Sequence, residues 1–127
     1  IGLADPMGAN MYSFFKTGEL KSEGSSITEG IGQGRITENI KDMSLDIPFR
    51  VNDSEALNIL YDLIEEEGLF LGLSSGINIA GAKKLAKSLG KDKTIVTILC
   101  DSASRYQNKM FNAGFLEENN LPIPNWL

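Results

Sequence analysis

The sequence predicts an α/β fold. Strand-like and helix-like segments alternate along its 127 residues, an order typical of that class in a chain of about one domain's length. The segment Ile77–Leu89 repeats apolar residues at helical spacing, and Thr94–Leu99 is an unbroken aliphatic and β-branched run. Such a run is typical of a parallel strand that is buried on both faces.

The first half of the chain predicts two short strands, a short helix and a long loop. Ile1–Ala4 is apolar and is stopped by an Asp-Pro pair, so it is expected to be a strand. Met11–Phe15 is rich in apolar residues and favours one or two helical turns. Lys21–Ile36 is rich in glycine and polar residues, and long loops in compact domains are often functional. Pro48–Val51 is the second strand candidate.

The next helix has a recognisable start and end. Asn52 is followed three residues later by Glu55, which is an asparagine version of the capping box, and Gly68 ends the helix. Leu69–Leu71 is then expected to form a short strand, and Gly72–Gly76 a tight turn.

The last third of the chain follows the same alternation. The helix Ile77–Leu89 ends at Gly90, and the strand Thr94–Leu99 follows it. Arg105–Phe111 is expected to be helical. Cys100, at the end of the strand, is expected to be a small buried hydrophobic residue.

Composition excludes several classes of function. There is no histidine, so the chain offers no Ser-His-Asp triad and no imidazole metal ligand; its single cysteine excludes an intrachain disulfide and a cysteine-rich zinc site. The net charge of −5 argues against a dedicated nucleic-acid binder. No apolar run approaches the ~20 residues needed to cross a bilayer. An unpaired cysteine fits a reducing compartment.

Three polar or glycine-rich segments are candidates for a ligand site: Gly30–Gly34, Gly72–Gly76 and Cys100–Ser104. In open α/β sheets, ligands bind at the carboxyl ends of the strands, where these loops are expected to lie. Each segment also has a purely structural interpretation. The first fits a flexible surface loop, the second a helix cap, and the third a turn after a strand.

Two motif interpretations fail. Gly72–Gly76 matches the G-x-S-x-G pattern of hydrolases, but the chain has no histidine to act as the base for the serine. Gly30–Gly34 is G-x-G-x-G, and neither its spacing nor its context is that of a dinucleotide-binding loop. Glycines at alternate positions still let the backbone approach a ligand closely.

Together, these segments resemble the cysteine synthase family, the fold-type II enzymes that use pyridoxal 5′-phosphate. The resemblance rests on Glu29–Gly34, on Glu65–Gly68 followed by Gly72–Gly76, and on Ile95–Leu99 leading into Asp101–Tyr106. It implies that residues 1–127 are the C-terminal portion of the large cofactor-binding domain, a three-layer α/β/α domain like that of the tryptophan synthase β chain. The family's Schiff-base lysine lies upstream of the matched region, and none of the nine lysines here stands in its context.

The resemblance also assigns candidate site residues. Ser102 matches the hydroxyl residue that binds the pyridine nitrogen of the cofactor, which suits β-elimination and replacement. The sequence departs from the family at Ala103, where glycine is frequent. A loop beside the amino-acid substrate is matched by Gly30, Ile31, Gly32, Gln33 and Gly34. No catalytic residue and no metal ligand is nominated.

The implied function belongs to the longer parent enzyme. That enzyme would replace the acetate of O-acetylserine by sulfide to give cysteine, as a cytoplasmic homodimer, and the 127 residues alone would be inactive. A cystathionine β-synthase-like enzyme is the near alternative. The other alternative is a non-catalytic α/β module that binds a partner or a small anion.

Overall fold

The computed structural model describes all 127 residues, and it confirms the α/β class. None of its helices is long and apolar enough to cross a membrane. The elements in chain order are β1 (Gly2–Pro6), α1 (Met11–Thr17), β2 (Ile47–Val51), α2 (Asp53–Glu67), α3 (Leu73–Leu89), a 3₁₀ turn (Ala103–Tyr106) that leads into α4 (Gln107–Met110), and α5 (Ala113–Glu118).

Strands β1 and β2 form a two-stranded parallel sheet, with Leu3 opposite Pro48 and Asp5 opposite Arg50. Helix α3 packs very closely on this sheet through Gly81. A Cβ atom at Gly81 would lie 2.5 Å from the Cβ of Ala4, a distance that non-bonded atoms do not reach. The glycine therefore sets how near the helix lies to β1.

Helix α2 begins and ends as its sequence predicts. The Asn52 side chain accepts the Glu55 N–H at 2.9 Å, and the Glu55 carboxylate accepts the Asn52 N–H at 3.5 Å, which completes the capping box. Gly68 ends the helix in the left-handed conformation at φ 66°, and its N–H donates to the Ile64 carbonyl at 3.2 Å.

The core consists of two clusters that share helices α2 and α3. The larger cluster joins them to the C-terminal helical segments, and the Tyr61 hydroxyl strengthens it by donating to the Met110 carbonyl at 2.8 Å. The smaller cluster joins them to β2. The larger contains Leu57, Leu60, Tyr61, Leu73, Ala103, Tyr106, Met110 and Leu116, and the smaller Val51, Ala56, Ile77 and Ala80.

The prediction of a turn at Gly72–Gly76 is wrong, because α3 already begins at Leu73 with Gly72 as its N-cap. The N–H groups of Ser75 and Gly76 donate to the Gly72 carbonyl, which closes the first turn of the helix. Every residue of this turn is buried. Packing against α2, where the Ala56 carbonyl lies close to Gly76, supports helix in a segment whose composition favours a turn.

The predicted strand at Thr94–Leu99 is also wrong for this chain. The segment has no partner strand, and the Val96 and Ile98 side chains are 87% and 71% exposed. A strand needs a neighbour to accept and donate its backbone hydrogen bonds, and only β1 and β2 pair here. Cys100 is consequently exposed, contrary to the expectation that it is buried.

Leu69–Leu71 does not form a strand either, since only Leu71 makes a single antiparallel bridge, to Ser102. The helix expected at Arg105–Phe111 is confirmed as the 3₁₀ turn followed by α4. The strands expected at Ile1–Ala4 and Pro48–Val51 are confirmed as β1 and β2.

Candidate functional site

The long loop expected to be functional passes over the carboxyl ends of β1 and β2. The Gly8 N–H donates to the Glu23 carbonyl at 2.8 Å, and the Asn10 N–H to the Gln33 carbonyl at 3.0 Å. These bonds tie both ends of the loop to the turn that follows β1. The loop therefore lies where an α/β sheet places its ligands.

Two clefts open beside this loop. The first, here named the loop cleft, has a volume of about 380 Å³ and is lined by residues 6–9, 24–26, 28 and 31–34. The second, the strand-end cleft, has a volume of about 430 Å³. Its lining consists of Glu29, Gly30, Ser74, Cys100, Asp101, Arg105 and Tyr106.

The three candidate loops meet at the strand-end cleft. Gly30 comes from the first of them, Ser74 from the second, and Cys100 and Asp101 from the third. The segment Gly30–Gly34, here called the glycine loop, separates the clefts, because Gly30 lines one and Ile31–Gly34 line the other. Both volumes lie within the usual range of small-ligand sites, ~300–1,000 Å³.

Partly buried Asp101 and buried Tyr106 form one wall of the strand-end cleft. The Tyr106 hydroxyl donates to the Asp101 carboxylate at 2.7 Å, and this hydrogen bond together with burial raises the pKa of Tyr106 to about 12. Arg105 is more distant, 3.9 Å from the same carboxylate, and is mostly exposed. The other Asp101 oxygen is buried without a hydrogen-bond partner.

Gly72 leaves room for this carboxylate. A Cβ atom at Gly72 would lie 2.1 Å from the Asp101 Oδ1 and 2.7 Å from the Tyr106 ring. The Gly72 N–H also donates to the Asp101 carbonyl at 2.8 Å. The start of α3 and the end of the Thr94–Leu99 segment are thus fixed to each other at the cleft.

Side chains from two helical segments anchor the residues just before the glycine loop. Asp53, the first residue of α2, accepts the Ile27 N–H at 2.9 Å and the Ser26 hydroxyl. Lys109 of α4 donates to the Ile27 carbonyl at 2.9 Å and to the Glu29 carboxylate. The hydrogen bond from Lys109 to the Glu29 carboxylate and the positive charge of Lys109 lower the pKa of Glu29.

The glycine loop has conformations that require glycine. Gly30 and Gly32 have φ of 73° and 88°, in the left-handed region. At Gly32 a Cβ atom would lie 2.8 Å from the Ala9 Cβ, whereas at Gly30 it would meet nothing within 4 Å. Gly32 is therefore packed on the turn after β1, and Gly30 faces open space.

Ser102 lies next to the strand-end cleft but does not line it. Its hydroxyl is exposed, accepts the Ser104 N–H at 3.3 Å and lies 3.0 Å from the Ser104 hydroxyl, which caps the 3₁₀ turn. The role of Ser102 at the cofactor stays a prediction. So does the role of the glycine loop at the substrate.

Sequence reasoning missed three residues that shape the site: Asp53, Tyr106 and Lys109. Asp53 is 26 residues from its partner Ile27 in the chain. Tyr106 is 5 residues from Asp101. Lys109 is 80 residues from Glu29. Only Asp101 and Tyr106 are close enough in sequence for a local signal, the polar cluster after the apolar run. No three His, Cys, Asp or Glu side chains come together as a possible metal site.

Asp5, near the end of β1, is buried and precedes Pro6, which lines the loop cleft. It accepts the Tyr12 N–H at 2.8 Å, and burial raises the pKa of its carboxyl. Arg50, on the paired strand, attracts the carboxylate and opposes this effect. The hydrogen bond between Asp5 and Tyr12 fixes α1 to the sheet.

Known proteins of one family resemble this chain. The family model of pyridoxal-phosphate dependent enzymes matches residues 2–101. Cysteine synthase 1 of Neurospora crassa is 47% identical over 123 residues, and that of Emericella nidulans 45%; the matches cover 94% of this chain and 33% of each relative. The chain thus spans about a third of the length of these curated relatives.

A solved structure is similar as well. The O-acetylserine dependent cystathionine beta-synthase of Helicobacter pylori superposes with a TM-score of 0.70 at 28% identity, over 83% of this chain and 32% of that one. The architecture, the family model and the relatives point the same way. The chain belongs to the family of pyridoxal-phosphate dependent enzymes and is a homologue of cysteine synthases.

Proposed function

We propose that these residues are part of a cysteine synthase-like enzyme that replaces the acetate of O-acetylserine by sulfide to give cysteine. The observation that carries the proposal is the meeting of Gly30, Ser74 and Asp101 at one cleft, with the Ser102 hydroxyl beside it. The similarity to cysteine synthases over 94% of the chain supports it.

The residues present fit one part of the cofactor site. Ser102 accepts hydrogen bonds from Ser104, so its own proton stays available to the pyridine nitrogen of pyridoxal phosphate. When bound, that group withdraws electrons from the amino-acid substrate and makes elimination at its β-carbon possible. A neutral hydroxyl partner leaves the ring nitrogen largely unprotonated.

No residue here fits the covalent attachment of the cofactor. Neither cleft is lined by a lysine, and Lys109, the lysine tied to the site, is held by Ile27 and Glu29. The lysine of the site is therefore proposed to come from the part of the family's length outside these residues. We expect the isolated 127-residue chain to be inactive.

The glycine loop is proposed to contact the amino-acid substrate through Gly30, Ile31, Gly32, Gln33 and Gly34. Its anchors at Asp53 and Lys109 hold the residues before it, and the open space at Gly30 leaves it free to approach a ligand. Backbone N–H groups in such a loop are suitable donors to a substrate carboxylate.

The central test is Ser102→Ala in the longer enzyme that contains these residues. We expect a shifted cofactor absorbance and slower turnover, because the ring nitrogen loses its partner. Ser88→Ala is the matched control, since Ser88 is exposed on α3 and its hydroxyl only donates to the Leu85 carbonyl. An unchanged spectrum and rate in the Ser102 variant would remove this residue from the site.

A cystathionine β-synthase-like activity is the second candidate, and the structural similarity to the Helicobacter pylori enzyme favours it. It would use the same cofactor and add a thiol amino acid instead of sulfide. Competition between sulfide and a thiol amino acid in one assay decides which nucleophile is preferred.

The third candidate is a non-catalytic binding module. It predicts that the longer protein takes up no pyridoxal phosphate, whereas the enzyme proposal predicts a visible cofactor absorbance. The enzyme is further proposed to be a cytoplasmic homodimer, which sedimentation of the purified protein and fractionation of cells would test.

A further inference from the structure

The side chain of Ser104 meets that of Ser102 beside the strand-end cleft. Both residues stand between Asp101 and Arg105, which line the cleft. The Ser104 hydroxyl donates to the Ser102 oxygen at 3.0 Å, and the Ser104 N–H donates to the same oxygen at 3.3 Å. Neither hydroxyl has a further hydrogen-bond partner within the chain. One residue therefore gives Ser102 both of its donors.

The backbone around the two serines is held from the buried side. The Ala103 N–H donates to the Phe70 carbonyl at 3.3 Å, and Ser102 makes the antiparallel bridge to Leu71. Ala103 is completely buried in the larger core cluster, whereas Ser102 and Ser104, its neighbours in the chain, are exposed. The 3₁₀ turn that positions both hydroxyl groups is thus fixed by the core.

Two donors use the whole acceptor capacity of the Ser102 hydroxyl. A serine oxygen accepts two hydrogen bonds through its two lone pairs, and the hydroxyl donates one. Because Ser104 occupies both lone pairs, Ser102 can offer a further group only its own proton. Accepted hydrogen bonds also polarise the O–H group and strengthen its donation. A hydroxyl in this state binds an acceptor and has nothing to offer a donor.

We propose that Ser104 is a positioning residue that makes the Ser102 hydroxyl a donor only, and thereby selects the unprotonated pyridine nitrogen of pyridoxal phosphate. A protonated ring nitrogen carries an N–H and needs an acceptor, which Ser102 no longer supplies. The inference rests on the proposed function, in which Ser102 meets that nitrogen. It goes further because it assigns the selection to Ser104, which acts through Ser102.

The test uses the longer enzyme that contains these residues, bound to pyridoxal phosphate that carries ¹⁵N in its ring. The chemical shift of that nitrogen reports whether it holds a proton. We expect an unprotonated signal in the original enzyme and, in Ser104→Ala, a signal that moves toward the protonated position as the pH is lowered. Turnover should fall about two- to tenfold, as expected for the loss of one hydrogen bond.

Two further variants serve as controls. Ser104→Thr keeps a hydroxyl at this position and should restore both the ring-nitrogen signal and the rate. Ser88→Ala removes an exposed hydroxyl of α3 and should change neither. Circular dichroism of each enzyme first establishes that it folds like the original. A Ser104→Ala enzyme with the original signal and rate would overturn the inference, and so would a threonine variant that behaves like the alanine variant.

Ser102→Ala separates this inference from the proposed function. If it changes the ring-nitrogen signal and Ser104→Ala does not, Ser102 keeps its place at the cofactor and only the role of Ser104 is overturned. If neither substitution changes the signal, the placement of Ser102 fails and the inference fails with it.

Discussion

Asp101 shows how single residues shape this site. Its carboxylate accepts the Tyr106 hydroxyl, fills the space that Gly72 leaves, and stands next to Ser102 in the chain. One of its oxygens has no hydrogen-bond partner. A partly buried carboxylate with few partners depends on each one, so the tyrosine hydroxyl matters more here than an exposed one would.

Tyr106→Phe should therefore lower the free energy of unfolding by about 1–3 kcal/mol, because it leaves the Asp101 carboxylate without its main donor. Urea denaturation at pH 7 measures the change. Tyr12→Phe is the control, since the Tyr12 hydroxyl meets only the exposed Lys16 ammonium. We expect a change below about 0.5 kcal/mol there. Equal effects of the two substitutions would contradict this account.

Among the elements, helix α3 does most to organise the molecule. It packs on the sheet through Gly81, on α2 through Gly76, and against Asp101 through its N-cap Gly72. Each glycine removes a Cβ that would collide with a neighbouring element. These three contacts fix where the helix starts relative to the strand-end cleft.

Gly72→Ala should destabilise the chain by about 1–3 kcal/mol, because the new methyl group would overlap the Asp101 carboxylate and the Tyr106 ring. Thermal or urea unfolding measures it. Gly34→Ala is the control, since its Cβ would meet nothing within 4 Å and its φ is not in the left-handed region. It should be neutral or stabilise by up to about 1 kcal/mol. A well-tolerated alanine at position 72 would argue against this packing.

The loop between α1 and β2 depends on its anchor at the start of α2. Asp53→Ala removes the acceptor of the Ile27 N–H and the Ser26 hydroxyl, so the loop should open more often. Hydrogen exchange of Ile27 should become about fivefold faster or more. Asp62→Ala, an exposed site on the same helix, should leave it unchanged. If exchange at Ile27 does not respond, Asp53 is not the anchor.

The whole molecule is held together by α2 and α3, which belong to both core clusters. Tyr61 and Tyr106 lie in the larger cluster, and both have a pKa of about 12, above the ordinary value of 10. Burial raises that of Tyr61, and the Asp101 hydrogen bond together with burial raises that of Tyr106. The folded chain thus binds these two protons more tightly than the unfolded chain.

The free energy of unfolding should therefore show the full contribution of both tyrosines below pH 10 and lose it progressively from pH 10 to about 12. Urea titrations between pH 8 and 12 measure the decline. Tyr106→Phe should make the decline shallower, because one of the two groups no longer titrates. A variant as steep as the original chain would contradict the assignment.

The sequence by itself determined the features that depend on neighbours in the chain. It predicted the capping box at Asn52, the helix end at Gly68, both strands of the sheet and the α/β class. The rule that ligands gather at strand ends also anticipated that Gly30, Ser74 and Asp101 would meet at one cleft.

Only the tertiary structure decided the features that depend on distant partners. Thr94–Leu99 has the composition of a buried strand, but strand formation requires a hydrogen-bonded neighbour, which β1 and β2 do not provide to it. Gly72–Gly76 has the composition of a turn, yet packing against α2 makes it helical. The anchors Asp53 and Lys109 follow no local pattern, because 26 and 80 residues separate them from Ile27 and Glu29. Local composition fixes which conformations a segment favours, and the contacts between distant segments decide which one it adopts.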